Sequence, residues 1–502
     1  MGNNWMTFLL GSFAGAMIAI VVSGVLTLLF ARPLIQWIVG QFTKRLMNDR
    51  YPENIWEMVS ALTRVSPQTV IENSLRAAEA GVIERPFGSP RKFLHFDGLV
   101  FSPAQLATLA APDDAEVDLR VTIGPRAKRP LTIEMPIMAA GMGYGIGVSE
   151  KTKIAIAKGT AAVGTLTNTG EGGFLPEERQ HAKHLIIQYH SGSWSKEPHI
   201  LKQADAIEIR FGQGATAGAA NVTPVEYLEG RAAAIMQIQN QEYAVVPSRH
   251  EEIQKPQDLR GLVEKLRALT EGVPIGVKIG ASAKLEADLE VAIWAGVDFI
   301  SIDGGQAGSK GSPPILEDDF GLPTIHALSR AARYLRERGV KEQVTLLSGG
   351  GYSTPSECLK AVALGADGIY MGTSLLWAMT HDQVTKAIPW EPPTQLLFYP
   401  GSLTEEFHEQ EAAQYLENFL TSFAEEMRLA ILALGKTSLQ QMGPDDLVAL
   451  DEWTSKITNV PLVSEPYLPE KEWMDSLYAS TEGEEKRNKR PDRQTKTRKP
   501  DT

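Results

Sequence analysis

Glycine-rich ends of short apolar runs are the segments of this sequence best suited to bind a ligand. Gly349–Gly351 follow the run 344–348, and Gly372 and Thr373 follow the run 368–371. Two neighbouring parallel strands that end in this way bring backbone N–H groups together without Cβ atoms between them, which suits a phosphate dianion. The two segments therefore predict a phosphate-binding cup.

A lysine at the end of another apolar run predicts redox chemistry. Lys278 closes the run 275–279, and burying its ammonium group there is costly unless an anion needs it. A reduced flavin, which is negative near its N1–C2=O edge, is such an anion. The alternative is a lysine that reaches solvent or pairs with a carboxylate such as Asp303.

Two further charged groups are candidates for substrate binding. Glu171 lies between glycines in the segment 168–173, where it could bind a substrate ammonium group, relay a proton or serve as a turn residue. Strand alternation places Glu208 and Arg210 on one face. That pair could bind a substrate carboxylate or neutralise itself.

The elements that must position these residues are strands that alternate with helices. From Pro136 onward, short β-like runs are separated by helix-length segments, which is the pattern of parallel βα units. The predicted strands are Ile137–Ala140, Ala162–Thr165, Leu185–Gln188, Ala206–Phe211, Ile275–Ile279, Phe299–Ile302, Val344–Leu347 and Gly368–Met371. Eight such strands predict an α/β fold of the (β/α)8 TIM barrel type, with its chemistry on the loops after the strands.

The N-terminal segment predicts a membrane anchor. From Trp5 to Phe30 no residue is charged, and this is long enough to cross a bilayer. Basic residues follow at Arg32, Lys44 and Arg45. We therefore expect a single-pass membrane protein whose catalytic domain faces the cytoplasm, the alternatives being a buried or a cleaved hydrophobic helix.

The whole chain is predicted to comprise five segments. These are a transmembrane helix (5–30), a helical and irregular lead-in (31–130), the barrel (131–440), a helical C-terminal extension (441–481) and a disordered basic tail (482–502). The tail lacks apolar residues and is rich in Lys and Arg, so it cannot form a core.

Composition excludes several classes of function. The net charge of −12 argues against a nucleic-acid partner. Cys358 is the single cysteine, so the chain cannot form an internal disulfide or a four-cysteine metal site; it is expected in the core. His181, His184 and His190 lie in a polar stretch and are predicted to be surface residues, and no metal site is predicted.

Taken together, these motifs closely resemble the FMN-binding synthase domain of glutamate synthase, and more narrowly the stand-alone FMN-binding glutamate synthase family proteins. The resemblance covers about residues 130–440. The segments that carry it are Asn168–Gly173, Arg210–Ala215, Val277–Lys278, Ile302–Gly305, Gly308–Pro313, Ser348–Gly351, Leu364–Gly368 and Met371–Ser374.

The resemblance implies an FMN-dependent oxidoreductase that transfers a hydride between the flavin and a small 2-oxo acid, its imine or an amino acid, as in glutamate biosynthesis. Lys278 is expected to stabilise the reduced flavin, whereas Glu171 and Arg210 are expected to bind substrate and Glu171 to orient it or transfer a proton. The residues expected to bind FMN are Gly141, Gln213, Lys278, Asp303, Gly350, Gly351, Gly372 and Thr373.

Three departures from the family pattern affect the expected partners and substrate. The family enzyme begins with an amidotransferase domain and carries iron–sulfur cysteines after the barrel, whereas this sequence has an apolar start and reads Pro389–Gln395 there. A separate amidotransferase or electron-donor subunit is therefore an expected partner. Thr216 lies where the family has a basic residue, which puts 2-oxoglutarate in doubt. The alternative hypothesis is a membrane-tethered flavin-binding subunit or sensor module without turnover of its own.

Overall fold

The computed structural model describes residues 3–228, 230–399, 401–469 and 471–478. The chain divides into two compact units, Met1–Ile83 and Glu84–Thr502. The predicted basic tail 482–502 lies outside the described residues. The segment boundaries proposed from the sequence remain predictions.

The N-terminal unit is helical. It contains α1 (Asn3–Asn48), α2 (Trp56–Arg64) and α3 (Pro67–Glu79). At the start of α3, the Ser66 side chain accepts a hydrogen bond from the Thr69 N–H while Pro67 occupies the first turn, as is typical of a helix N-terminus. The predicted membrane segment 5–30 lies within α1.

Among the described residues, no single helix has both the length and the apolar composition needed to cross a membrane. Two parts of α1, Gly15–Gly24 and Leu29–Asn48, which are bent by 44° relative to each other, meet both requirements as a pair. Pro33 cannot donate a hydrogen bond to the carbonyl of Leu29, and it lies shortly after this bend.

The second unit begins with an irregular lead-in that contains β1 (Leu99–Phe101), β2 (Val121–Ile123) and β3 (Leu131–Ile133). The β2–β3 hairpin lies at the N-terminal ends of the later barrel strands, where the Gly124 N–H donates to the Thr345 hydroxyl at 3.0 Å. Ile123 and Ile133 are completely buried there. The segment before the barrel therefore contains short strands as well as helices.

The barrel follows. In chain order its elements are β4 (Ile137–Ala139), α4 (Glu150–Ala162), β5 (Leu166–Asn168), α5 (Pro176–His181), β6 (His184–Tyr189), α6 (Pro198–Leu201), β7 (Ala206–Arg210), β8 (Asn221–Pro224), α7 (Arg231–Ile235), β9 (Tyr243–Val246), α8 (Asp258–Leu269), β10 (Ile275–Gly280), α9 (Leu285–Ala295), β11 (Phe299–Asp303), α10 (Pro314–Asp319), α11 (Thr324–Glu337), β12 (Thr345–Gly349), α12 (Pro355–Leu364), β13 (Gly368–Met371) and α13 (Thr373–Thr380).

Eight of these strands form one parallel sheet in the order β4-β13-β12-β11-β10-β7-β6-β5. The sheet curls into a nearly closed barrel, because β4 and β5 at its two ends lie side by side and the Thr165 hydroxyl donates to the Ile137 carbonyl at 2.7 Å. Helices flank the strands, so the predicted TIM-barrel-like fold is confirmed in outline. Cys358 on α12 is fully buried, as expected.

The second barrel strand was predicted at Ala162–Thr165, and this placement is wrong. Helix α4 continues to Ala162, and Gly164 turns the chain with a φ of +74° before β5 begins at Leu166. Alanine and threonine residues at buried positions of α4 give a sequence pattern like that of a buried strand. The turn at Gly164 marks the actual boundary between α4 and β5.

The chain after the barrel contains α14 (Pro392–Leu396), α15 (Glu409–Ala433), β14 (Leu447–Ala449) and α16 (Glu452–Thr458). Helix α15 packs on α4, and β14 pairs antiparallel with β1. The C-terminal extension therefore contains a strand as well as a helix, and this strand joins it to the lead-in.

Candidate functional site

The carboxyl ends of the barrel strands surround a cleft of about 860 Å³. This is the end at which barrel enzymes place their chemistry, because the loops after parallel strands converge there. Nine residues predicted from the sequence line the cleft, namely Gly141, Glu171, Gln213, Lys278, Asp303, Gly350, Gly351, Gly372 and Thr373. Arg210 does not line it but contacts residues that do.

The two segments predicted to form a phosphate cup lie at the ends of β12 and β13, and both line the cleft. Gly350 and Gly351 have φ values of +123° and +78°, which side chains other than glycine rarely adopt. Helix α13 begins at Thr373 without a side-chain cap on its first N–H groups, so these donors and the positive end of the helix dipole are available to an anion. By contrast, the start of α12 is closed by its own capping box, made by Thr354 and Glu357.

Lys278 and Asp303 form an ion pair in the cleft, with the ammonium nitrogen 3.2 Å from Asp303 Oδ2. Both side chains are almost fully buried. They lie at the ends of the neighbouring strands β10 and β11, where the register sets Lys278 beside Ser301 and Gly280 beside Asp303. The alternative in which this lysine pairs with a carboxylate is confirmed, and the pair also lines the predicted cofactor site.

The Tyr370 ring lies beside this ion pair, with its centroid 5.2 Å from the Lys278 nitrogen. Burial and the nearby Glu208 carboxylate raise the pKa of Tyr370 well above its usual value, so its hydroxyl stays protonated at neutral pH. The sequence prediction missed Tyr370 because its residue type is also common in barrel cores.

Glu208 does not pair with Arg210. Its carboxylate, which is fully buried, accepts hydrogen bonds from Asn168 at 2.9 Å, Gln188 at 2.8 Å and Ser301 at 2.7 Å. These polar residues come from the strands around β7 and fix the floor of the cleft. A Cβ atom on Gly141 would lie 3.0 Å from Asn168 Oδ1 and 3.1 Å from Gln188 Nε2, so the loop after β4 lies directly against this floor.

Arg210 instead faces Glu171 across the cleft wall. Its Nε lies 3.0 Å from Glu171 Oε2, without the alignment of a hydrogen bond. Asn221 of β8 donates to Glu171 Oε1 at 2.8 Å, and Arg210 Nη2 donates to Thr216 at 3.3 Å. The two predicted substrate residues are thus brought together as a pair, and Asn221, which the sequence prediction missed, is their third member.

The hairpin that carries Asn221 is an insertion between β7 and α8. It consists of β8 and β9, and with α7 it covers a second apolar cluster around Tyr144 and Trp194. The Trp194 indole donates to the Glu171 carbonyl at 3.0 Å. The insertion therefore holds the Glu171 loop in place at one side of the cleft.

His190 was predicted to be a surface residue, and this is wrong. Its ring is 1% exposed, packs on Trp194 at 5.3 Å between centroids and accepts a hydrogen bond from the Gly192 N–H. Burial lowers the pKa of His190 well below its usual value, and it is neutral at physiological pH. Within the described ranges, no group of three His, Cys, Asp or Glu residues is arranged to hold a metal ion.

The cleft residues fit FMN. The cup supplies backbone donors free of Cβ atoms for a phosphate, the glycines after β4 line the cleft without side chains that would obstruct a planar ring, and Lys278 adds a positive charge to the same cleft. Gln213 and Asp303 line the same stretch of cleft. An eight-stranded parallel barrel with these strand ends belongs to the class that binds a phosphorylated planar cofactor.

Comparison with known proteins identifies the family. The model of the conserved region in glutamate synthase matches residues 99–437, and this chain belongs to that family. The glutamate synthase large subunit-like protein of Rhizobium meliloti is 31% identical over 420 residues, which are 79% of this chain and 94% of that protein. The archaeal-type glutamate synthase [NADPH] of Thermotoga maritima is 27% identical over 410 residues, covering 76% of this chain and 80% of that protein.

Solved structures give a weaker likeness. The flavin-binding domain of baker's yeast flavocytochrome b2 aligns with a TM-score of 0.46 at 16% identity, covering 81% of this chain and 85% of that chain. At this level of similarity, the fold assignment rests on the strand order and register of the chain itself.

Proposed function

We propose that this chain is an FMN-dependent oxidoreductase of the glutamate synthase family that transfers a hydride between the flavin and a small 2-oxo acid, its imine or an amino acid. One observation carries the proposal. A single cleft joins the phosphate cup at Gly350, Gly351 and Gly372 to the buried Lys278–Asp303 pair. When bound, FMN supplies the hydride chemistry that amino-acid side chains lack.

Lys278 provides electrostatic stabilisation in this site. Its ammonium group is fixed by Asp303 and by the face of Tyr370, and it is almost shielded from water. A fixed positive charge in such a low-dielectric site stabilises negative charge that develops next to it. Lys278 therefore favours the reduced, negatively charged ring.

Glu171 orients the substrate. Arg210 and Asn221 hold its carboxylate at the cleft wall, and Glu171 Oε2 has no aligned hydrogen-bond donor among the described residues. Glu171 lines the cleft, and its carboxylate is the group that would accept an N–H from an imine or ammonium group or move a proton there. Arg210 supports the substrate through Glu171.

The first experiment is a visible spectrum of the purified protein, which should show bound flavin. After anaerobic photoreduction, candidate oxidants are added one at a time: 2-oxo acids with ammonium chloride, and 2-oxo acids alone. Reoxidation that requires both the acid and ammonium is the expected result. A protein that neither carries nor takes up FMN contradicts the proposal, and reoxidation that is independent of every substrate favours a flavin-binding module without turnover.

The Lys278→Met substitution tests the role of the buried charge. We expect FMN to remain bound, because the cup is unchanged, and flavin reduction to slow by about 100-fold, the size typical of losing one preorganised electrostatic contact. Lys265→Met, on the exposed face of α8, is the matched control. An unchanged reduction rate in Lys278→Met removes this role from Lys278.

The electron donor is proposed from the names of the relatives. Several are archaeal or archaeal-type glutamate synthases [NADPH], so NADPH is the donor we propose to test first. A separate electron-donor or amidotransferase subunit is the alternative source of electrons and ammonia. Co-purification from detergent extracts, followed by a flavin reduction assay with and without the captured proteins, distinguishes the two.

Attachment to a membrane through α1 is also proposed, with the barrel on the cytoplasmic side. The support is the uncharged segment Trp5–Phe30 followed by Arg32, Lys44 and Arg45. Apolar side chains of this segment such as Phe13 and Ile18 are exposed along α1. Fractionation of cells that express the full chain tests the attachment.

A further inference from the structure

The cations around the cleft are not equivalent. Lys278 is paired with Asp303 at 3.2 Å, and Arg210 is paired with Glu171 at 3.0 Å and lies outside the cleft lining. Lys310 also lines the cleft, but it forms no hydrogen bond or ion pair with any residue in the described part of the chain. Its side chain is half-buried.

The backbone around Lys310 is held from both sides. The Phe87 N–H donates to the Ser309 carbonyl at 3.0 Å, and the Ser312 hydroxyl donates to the Ala215 carbonyl at 2.6 Å. Gly308 packs so closely on the lead-in that a Cβ atom there would lie 2.6 Å from the Phe87 carbonyl oxygen. The position of Lys310 is therefore defined by two separate segments of the fold, the lead-in at Phe87 and the loop at Ala215.

The two ends of this loop lie near different parts of the cleft. At its start, Gln306 is next to the phosphate cup, since a Cβ on Gly351 would lie 2.9 Å from Gln306 Cβ. At its end, Ser312 donates to the carbonyl of Ala215, and the next residue, Thr216, accepts a hydrogen bond from Arg210 of the Glu171–Arg210 pair. Lys310 belongs to the second half, on the substrate side of the cleft.

The electrostatic environment of the Lys310 ammonium group also favours the binding of a small anion. Burial lowers the pKa of Lys310, and the Glu84 carboxylate acts in the opposite direction. No hydrogen bond or ion pair between the two is formed within the described residues. A half-buried ammonium without a bonded partner loses hydration that a bound carboxylate would replace with charge-assisted hydrogen bonds.

We infer that Lys310 binds the carboxylate of the substrate and that this substrate is a small acid with one carboxylate. The inference rests on the proposed function. The acidic side chains that line the cleft are Glu84, Glu171 and Asp303 and the basic ones are Lys278 and Lys310. Because Lys310 is the cation left without a hydrogen bond or ion pair among the described lining residues, a second substrate carboxylate would have no unpaired cation to bind there.

Binding to the FMN-loaded protein tests the inference without turnover. Pyruvate, 2-oxobutyrate, 2-oxoisovalerate and 2-oxoglutarate are titrated separately while the flavin absorbance difference spectrum is recorded. We expect a monocarboxylic acid to bind more tightly than 2-oxoglutarate. Lys310→Met should weaken its binding by about 10- to 100-fold, the worth of a charge-assisted hydrogen bond, and leave the FMN content unchanged.

Three further variants of the protein complete the test. Lys310→Arg should restore most of the affinity, and Lys265→Met on the surface of α8 should behave as the unmodified protein. Glu84→Gln should strengthen binding by up to about fivefold, because a nearby negative charge is removed. In steady state, Lys310→Met should raise KM with little change in kcat, which a merely structural role would not produce.

The outcomes distinguish failure of the inference about Lys310 from failure of the proposed function. Unchanged acid binding in Lys310→Met, loss of FMN from that variant, or tightest binding of 2-oxoglutarate overturns the inference and leaves the proposed function intact. If no acid perturbs the flavin of the unmodified protein, the substrate class of the proposed function fails, and the inference fails with it.

Discussion

Gly350 shows how one backbone position joins fold and ligand binding. Its φ is +123°, and the Thr324 hydroxyl donates to its carbonyl at 2.9 Å. A Cβ atom would lie 2.5 Å from the Thr324 oxygen, so any side chain must displace either the cup or α11. The conformation that presents the neighbouring N–H groups to a phosphate is thus available only to glycine.

Gly350→Ala should therefore abolish or greatly weaken FMN retention. The expected stability cost is about 1–2 kcal/mol from the positive φ alone, plus the clash with Thr324. Gly296→Ala is the matched control: it has a φ of +78° at the end of α9 and no atom within 4 Å of the added Cβ. It should lose similar stability but keep FMN. Flavin content after gel filtration is the measurement, and equal retention in both variants contradicts the cup assignment.

Glu317 gives the fold a defined pH dependence. The side chain is fully buried and lies 2.8 Å from Arg85 Nε, but burial outweighs that pairing and raises the pKa of Glu317 from 4.5 to about 7. Between these two values, the folded protein keeps the proton while the unfolded chain releases it. Raising the pH through this window therefore favours unfolding.

The stability of the unmodified protein should accordingly fall, through this group, as the pH rises from 4.5 to about 7. Glu317→Gln removes the titration, so its urea midpoint should depend less on pH across the same window. Glu264→Gln on the exposed face of α8 keeps the buried acid and should retain the original slope. Parallel midpoint curves for the unmodified protein and Glu317→Gln would show that the pKa assignment is wrong.

At the scale of elements, the barrel is held at one side by the packing of α15 on α4. The contact is close because Gly159 has no side chain: a Cβ atom there would lie 2.9 Å from three carbons of Leu416. Phe423, Met427 and Ile431 form part of the buried apolar face of α15. Helix α15 is thus part of the helical layer around the barrel.

Gly159→Val should destabilise the protein by about 1–3 kcal/mol through overpacking of this interface. Gly261→Val on α8 is the matched control, since no atom lies within 4 Å of its added Cβ and the helix interior tolerates valine better than glycine. We expect its unfolding midpoint to stay equal or rise slightly. A similar loss in both variants would show that the cost arises from the helix backbone and not from the α4–α15 contact.

At the scale of the whole molecule, the barrel unit is acidic whereas the N-terminal segment 5–30 is uncharged. The two parts of the chain are therefore suited to different environments. If α1 anchors the protein, arginine within 5–30 should release it, because each charge at a bilayer centre costs about 2.5–3.5 kcal/mol. Ile18→Arg combined with Val22→Arg is expected to move the protein from the membrane pellet to the supernatant after centrifugation.

Ile71→Arg is the control for this experiment. Ile71 is also an exposed apolar residue of the N-terminal unit, but it lies on α3 outside the uncharged segment. It should leave the distribution unchanged. Recovery of the unmodified full chain in the supernatant would contradict anchoring through α1, whereas the FMN assignment of the barrel would be unaffected.

Much of the barrel was predictable because its strands are short apolar runs bounded by Gly and Pro. Local pattern was less informative where a helix and the following strand share small buried residues, as at Ala162. It also failed for His190, because the polar residues around it in sequence do not reveal that its ring is buried and packs on Trp194. Burial at such a position depends on residues distant in the chain.

By itself, the sequence determined the order of the strands, the glycines of the phosphate cup and the residues Lys278, Asp303 and Glu171, because residue type and local period specify these. Only the tertiary structure decided the pairing of charges. Glu208 and Arg210 share a strand face, but β5, β6 and β11 supply Asn168, Gln188 and Ser301 to Glu208, whereas Arg210 pairs with Glu171. Such partners are set by the register between strands, which joins residues far apart in sequence.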